Sequence, residues 1–406
     1  MIRRDFLKTA AGTAAALGSG SAAAAAAETA GTTYRAGVIG LGWTGVLYDL
    51  AGRGGLHRQG TYWDPAYDME GDRPTPGEID VHRKFYHHDH PGNEGLPVSY
   101  SEALHSRPEV ELVAGAERDR RRLAVFGERY GIDALYTDAI EMLRRERLDI
   151  VAVCTNVKGR SFLTCAAVEH GAKAVITEKP MVFTLEEADR MVQACADRGV
   201  PLVAGAITTV HPSFEKAKQM VLDGTIGEVV SIEAGFYLSQ HQNWTYFIDS
   251  APAWVSGIGD GPRLENGSDE FRGQGMMVTR KGQVVHFRPG GPMIRVSGSK
   301  GEISFDRRGI GWRIWRDVKS LAGPTRRVEV PWPDPKFIGS YGAVNCLDDA
   351  LRCLAGDLDE PKNSGRRVAQ AIEVEIALKL SSARGGERVE LPLADRSLGL
   401  NYAWFR

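Results

Sequence analysis

Up to about residue 205, short continuous apolar runs alternate with longer stretches in which apolar positions recur every three or four residues. The runs at 34–39, 111–116, 148–154, 172–176 and 201–205 read as strands buried on both faces, because they are too short for buried helices and have no polar side. Between them, 160–170 and 185–198 carry helical spacing. The second follows Thr184 and opens with Glu186 and Glu187, acidic residues that suit the positive end of a helix. Strand alternating with helix predicts a parallel, doubly wound sheet. Beyond residue 206 the rhythm changes. Runs at 229–237, 275–279, 284–288, 293–297, 302–305, 312–315 and 327–330 are short and broken by glycines, which predicts an α+β domain. Helical stretches at 342–354 and 368–380 follow.

Two segments stand outside this pattern. Residues 1–33 hold Arg3-Arg4, then Asp5-Phe6-Leu7-Lys8, a weakly apolar run and an alanine tract from Ala22 to Ala27. The order is similar to that of a twin-arginine export signal, and the apolar run is too short to remain as a membrane span. An exported protein with no stable membrane insertion after signal removal is expected. Residues 53–97 form an insertion rich in His, Asp, Gly and Pro. His82, His87, His88, Asp89 and His90 are ligand types, but neighbouring side chains in one loop rarely converge on an ion, so no metal site is assigned. A substrate-covering lid or an oligomer contact is the expectation, with Trp63, Tyr67 and Tyr86 either stacking on a sugar or packing the loop.

The 406 residues are 43% hydrophobic and 25% charged, enough for about two soluble domains. A formal net charge of -2 gives no electrostatic motive for binding nucleic acid. The five cysteines lack metal-ligand spacing and fall in apolar segments, so they are expected to be small core residues.

Chemistry enters at Gly40-Leu41-Gly42-Trp43-Thr44-Gly45, directly after the first strand. In a G-x-G-x-x-G turn the first glycine allows the bend, the second lets backbone approach a pyrophosphate, and the third lets helix pack on strand. Glu117 closes the second strand, where a carboxylate binds the ribose hydroxyls of NAD. It disfavours a 2′-phosphate, although Arg118 beside it keeps NADP open. The spacing from the glycines exceeds the usual one because of the insertion. Thr155-Asn156 and Thr177-Glu178-Lys179-Pro180 close two further strands.

With Glu178-Lys179-Pro180-Met181, His211-Pro212, Gly224-Thr225-Ile226-Gly227-Glu228-Val229 and the C-terminal Ser381-Ser382 to Pro392 added, the chain resembles the Gfo/Idh/MocA oxidoreductases. The resemblance implies an N-terminal Rossmann domain (34–206) and a C-terminal domain on an open antiparallel sheet (207–406), often paired between subunits as a homo-oligomer. It implies a cofactor site that includes Gly40, Gly42, Trp43, Thr44, Gly45, Glu117, Thr155, Asn156 and Glu178. It gives Lys179 the substrate hydroxyl, with a sugar-like small molecule as substrate. The family's His-x-x-Asp is represented by Tyr246-Phe247-Ile248-Asp249, so Asp249 keeps the carboxylate and Tyr246 stands where histidine does. Tyr246 could donate a hydrogen bond, act with Lys179 as a proton relay, or simply be a half-buried aromatic; His241 is a nearby substitute for the imidazole. Arg160 stands where a histidine is frequent and Val210 where an arginine–aromatic pair is, so substrate contacts are expected to differ. The functions implied are hydride transfer with tightly held NAD, redox-neutral glycosidase or lyase chemistry on the same cofactor, or non-catalytic sugar or nucleotide binding.

Overall fold

The structure is a computed structural model, and it describes residues 33–47, 97, 99–204, 209–235, 242–259, 270–306, 311–333 and 342–401. The arginine pair and alanine tract, the histidine-rich insertion and His241 lie outside the described residues.

The first sheet holds β1 (Tyr34–Ile39), β2 (Val110–Ala116), β3 (Ala134–Tyr136), β4 (Ile150–Val153), β5 (Ala174–Thr177) and β6 (Leu202–Val203). Among the described residues its order is β3-β2-β1-β4-β5-β6, with every pair parallel. That order reverses direction at β1, where a doubly wound sheet opens a crevice beyond its strand ends. Helices α1 (Tyr100–His105), α2 (Arg120–Tyr130), α3 (Ala139–Glu146), α4 (Arg160–Glu169) and α5 (Leu185–Ala196) connect or flank the strands. Their ends follow from local chemistry. Asp119 caps α2 by accepting from the Arg121 and Arg122 amides, and Gly131 ends it in the left-handed region at φ 66°. Thr184 and Glu187 cap α5 reciprocally, each side chain accepting from the other's amide.

The second sheet is preceded by α6 (Pro212–Leu222), which explains His211-Pro212 in physical terms. The His211 ring accepts from the Ser213 amide, and proline occupies the first turn, where no amide is needed. Then come β7 (Val229–Ala234), α7 (Trp244–Phe247), β8 (Pro252–Ile258), β9 (Gln274–Thr279), β10 (Val284–Phe287), β11 (Ile294–Gly298), β12 (Gly301–Asp306), β13 (Gly311–Val318) and β14 (Arg326–Val330). After α8 (Gly342–Ala355) and α9 (Gly365–Ala383), β15 (Val389–Glu390) completes the order β14-β13-β12-β11-β7-β10-β9-β8-β15. The expected antiparallel sheet is in fact mixed, because β10 runs parallel to β7. The chain leaves β7 through α7 rather than a hairpin. The β8–β9–β10 meander then returns its last strand alongside β7 in the same direction.

The last two long helices return to the first domain. Ala343, Cys346, Leu347 and Ala350 of α8 share one core with Val38, Ile150 and Ile176. Helix α9 lies against both α5 and β8, and Val203 forms a bridge with Ser364 just before it. Cys154, Cys195 and Cys346 are buried, and all five cysteines are free thiols.

Candidate active site

The glycine turn lies at the C-terminal end of β1. Gly40 has φ 88°, and a Cβ there would lie 2.9 Å from the Thr155 amide nitrogen. A Cβ on Gly45 would lie 2.1 Å from the Gly40 carbonyl oxygen, so the third glycine allows the chain to fold back onto the first. Gly42 differs: among the described residues a Cβ there would meet only Arg122 Nη1, at 3.9 Å, which leaves space over the turn. Trp43 opens a short π-helical segment, Trp43–Leu47. Within it, Thr44 faces Cys154, just past the end of β4.

Glu117 reaches back across the crevice. Its Oε2 accepts from the Leu41 amide at 2.8 Å and lies 3.6 Å from Arg122 Nη1; its Oε1 accepts from the Asp119 amide at 3.2 Å. Arg118 is exposed, so the cation that faces Glu117 is Arg122. On the other side Thr155 is half-buried, and its hydroxyl oxygen is buried without a hydrogen-bond partner among the described residues, while Asn156 is exposed. An open space over Gly42, an orphaned hydroxyl at Thr155 and a carboxylate beside the turn fit a dinucleotide: phosphates over the glycines and ribose at Glu117.

Lys179 follows β5. Glu178 is buried, and its carboxylate accepts from the Lys179 amide at 3.2 Å. Burial pushes the Lys179 ammonium below the usual lysine range; the Arg160 charge adds to this, while the carboxylates of Glu178 and Glu270 oppose it. Two of these neighbours were not assigned to the site from the sequence. Glu270 precedes β9, with a side chain only 1% exposed and 3.8 Å from Arg272 Nη2, and its charge favours the protonated form of Lys179. It sits in an irregular stretch with no motif to mark it. Arg160, which stands where a histidine is frequent, is buried and hydrogen-bonded to backbone.

Tyr246 and Asp249 stand in other company. The Tyr246 ring has the Arg367 guanidinium at 5.3 Å and the Lys218 ammonium at 5.8 Å from its centroid. Burial, reinforced by Glu215, pushes its hydroxyl up to about 12. It therefore stays protonated at neutral pH and can donate but not act as a base. The Asp249 carboxylate is 52% exposed and lies 3.8 Å from Lys281 Nζ. Glu178, Arg160 and Glu270 are among the charges that act on Lys179, and Glu215, Arg367, Asp349 and Arg352 are among those that act on Tyr246. Lys179 stands at the end of β5 beside Glu178, and Tyr246 and Asp249 lie in and just after α7 of the second sheet's domain.

Residues 97–206 match the model of an oxidoreductase family described as an NAD-binding Rossmann fold, GFO_IDH_MocA. A D-apiose dehydrogenase of Paraburkholderia graminis is 37% identical over 118 residues, covering 29% of this chain and 31% of that protein. The chain spans about a third of the length of the curated relatives it matches. Among solved structures, an oxidoreductase domain protein from Kribbella flavida matches with a TM-score of 0.59 at 20% identity, over 89% of this chain and 100% of that one. A levoglucosan dehydrogenase solved with NADH matches with a TM-score of 0.59 at 16% identity, over 89% and 100%. At such identity the agreement is one of fold, and it extends across both sheets. The family model places residues 97–206 with the NAD-binding Rossmann folds of the GFO_IDH_MocA oxidoreductases.

Proposed function

We propose that the protein is an NAD-dependent oxidoreductase that oxidises a hydroxyl of a sugar or polyol by hydride transfer. The observation that carries this reading is a half-buried lysine with a depressed pKa at the end of β5, on the same sheet whose β1 and β2 end in a glycine turn and a carboxylate suited to a dinucleotide. Bound NAD would accept the hydride from the carbinol carbon. Lys179 in its neutral form takes the proton of the substrate hydroxyl. Glu117 orients the ribose, and the space over Gly42 admits the phosphates. A sugar-like substrate is supported by the names of similar proteins, among them the D-apiose dehydrogenase and the levoglucosan dehydrogenase.

We further propose that the cofactor is held through the cycle and that the protein is exported. The arginine pair, Phe6-Leu7-Lys8 and the alanine tract support export, and free NAD outside the cytoplasm would be scarce. A captive cofactor would also suit redox-neutral chemistry, in which the substrate is oxidised and reduced again within one turnover. A homo-oligomer is proposed from the open sheet. The test is to denature the purified protein and identify what it releases. Stoichiometric NAD(H) supports a captive cofactor. Protein that releases none but binds added NADH supports an exchanging dehydrogenase. Failure to bind NADH or NADPH at all would sink the oxidoreductase reading in favour of a binding protein.

A further inference from the structure

Arg160 occupies the first residue of α4, after Gly159 in the left-handed region at φ 87°. A cation is unfavourable at that end of a helix, and a residue so placed usually reaches into solvent. Arg160 instead is 2% exposed. Burying a guanidinium is costly unless its donors are taken up, and an apolar side chain of similar volume would fill the space at lower cost. Its two terminal nitrogens find main-chain acceptors, while its Nε is buried with no hydrogen-bond partner among the described residues. Nη1 donates to the Glu178 carbonyl at 2.7 Å and to the Pro180 carbonyl, and Nη2 donates to the Thr155 carbonyl.

The placement of these acceptors is informative. Glu178 and Pro180 flank Lys179 on either side. Thr155 belongs to the neighbouring strand end, against which Gly40 of the glycine turn is packed. One planar fork thus braces the ends of β4 and β5 and straddles a single side chain. We propose that Arg160 is a positioning residue for Lys179: by holding the Thr155, Glu178 and Pro180 carbonyls it fixes the lysine at the mouth of the crevice between β1, β4 and β5. The assignment rests on the reading of Lys179 as the proton-handling group. A second effect accompanies the first, since the Arg160 charge also favours the neutral amine of Lys179. A lysine at 160 would keep that charge but, as a point donor on a flexible stem, could not span three carbonyls on two strand ends.

The test uses the full chain and needs no substrate. Lysine acylation by acetic anhydride is followed across pH by peptide mass spectrometry at Lys179, with exposed Lys158 as internal reference, and NADH affinity is measured by fluorescence. In wild type the Lys179 midpoint is expected below that of Lys158. In Arg160→Gln, which keeps donors and loses charge, it should rise by about one pH unit, with reactivity near neutral pH falling about tenfold. In Arg160→Lys the midpoint should stay near wild type while NADH affinity falls, and this variant decides the question should Arg160→Gln not fold. A role limited to holding α4 would lower the thermal midpoint and leave both readouts unchanged, which would overturn the proposal. A wild-type Lys179 that titrates like Lys158, or a wild-type protein that does not bind NADH, would overturn the underlying reading of the site instead.

Discussion

At the scale of the residue, the depressed ammonium of Lys179 sets the sign of two pH effects. Its folded pKa lies below the ordinary value of 10.5. The neutral amine therefore increases as pH rises through the folded pKa, and the rate of alcohol oxidation should rise with it. This limb of the pH–rate profile should disappear in Lys179→Met, along with most of the turnover. Between the folded pKa and 10.5 the unfolded chain binds more protons than the folded one, so this group adds to stability as pH climbs through that window. Tyr246 behaves differently. With its hydroxyl pushed up to about 12, Tyr246→Phe should leave any ionisation seen between about pH 6 and pH 10 in place; a limb lost in that range would restore the tyrosine as a base. Gly45→Ala would force a Cβ against the Gly40 carbonyl, overpacking that costs about 1–3 kcal/mol, and both thermal midpoint and NADH affinity should fall. The glycines and Glu117 could be singled out in the sequence because dinucleotide binding asks for those residue types beside strand ends, and Lys179 because Glu178-Lys179-Pro180 carries the family resemblance. Arg160 and Glu270 could not: an arginine at a helix start and a glutamate in a loop look solvated until packing closes over them.

The elements are tied to one another by buried charge. Lys362 lies between α8 and α9, 3% exposed, and its ammonium pairs with Asp349 of α8, itself 1% exposed, and lies 3.4 Å from Glu215 of α6. Arg352 of α8 adds a two-pronged bond to Glu215 at 2.7 and 3.0 Å, which holds that carboxyl below its usual range. Lys362→Met would leave Asp349 buried without its counter-ion, a loss of about 3–5 kcal/mol by denaturant unfolding. Burial already raises the Asp349 carboxyl, and losing the lysine raises it further. The variant should therefore lose stability as pH rises from the ordinary carboxylate range, where the unfolded chain ionises first. A deficit that did not change with pH would argue against an ionised Asp349. Most strands were readable from apolar runs between glycines, with ends displaced by a few residues. Strand β8 was not, because Pro252, Trp254 and Gly257 interrupt its pattern; it forms because β9 and β15 pair with its two edges.

For the whole molecule, two domains in series were legible, but the return of the chain was not. The 342–354 stretch announces an amphipathic helix and says nothing of its partner. In the structure Ala343, Cys346, Leu347 and Ala350 cover apolar residues of the first sheet, and α9 touches elements of both domains. A fragment ending at residue 206 should therefore lack a fixed core, which dye binding to exposed apolar surface and loss of near-ultraviolet dichroism would reveal; a fragment with a cooperative unfolding transition would refute this. The same arrangement has a bearing on synthesis. Translation adds about 5–20 residues per second, so roughly 15–60 s separate the appearance of Val38 from that of Ala350. Throughout that interval the nascent chain carries a sheet whose cover has yet to be made. The part of the molecule that is born first is finished last, and chaperones at the ribosome would have to shelter it until then.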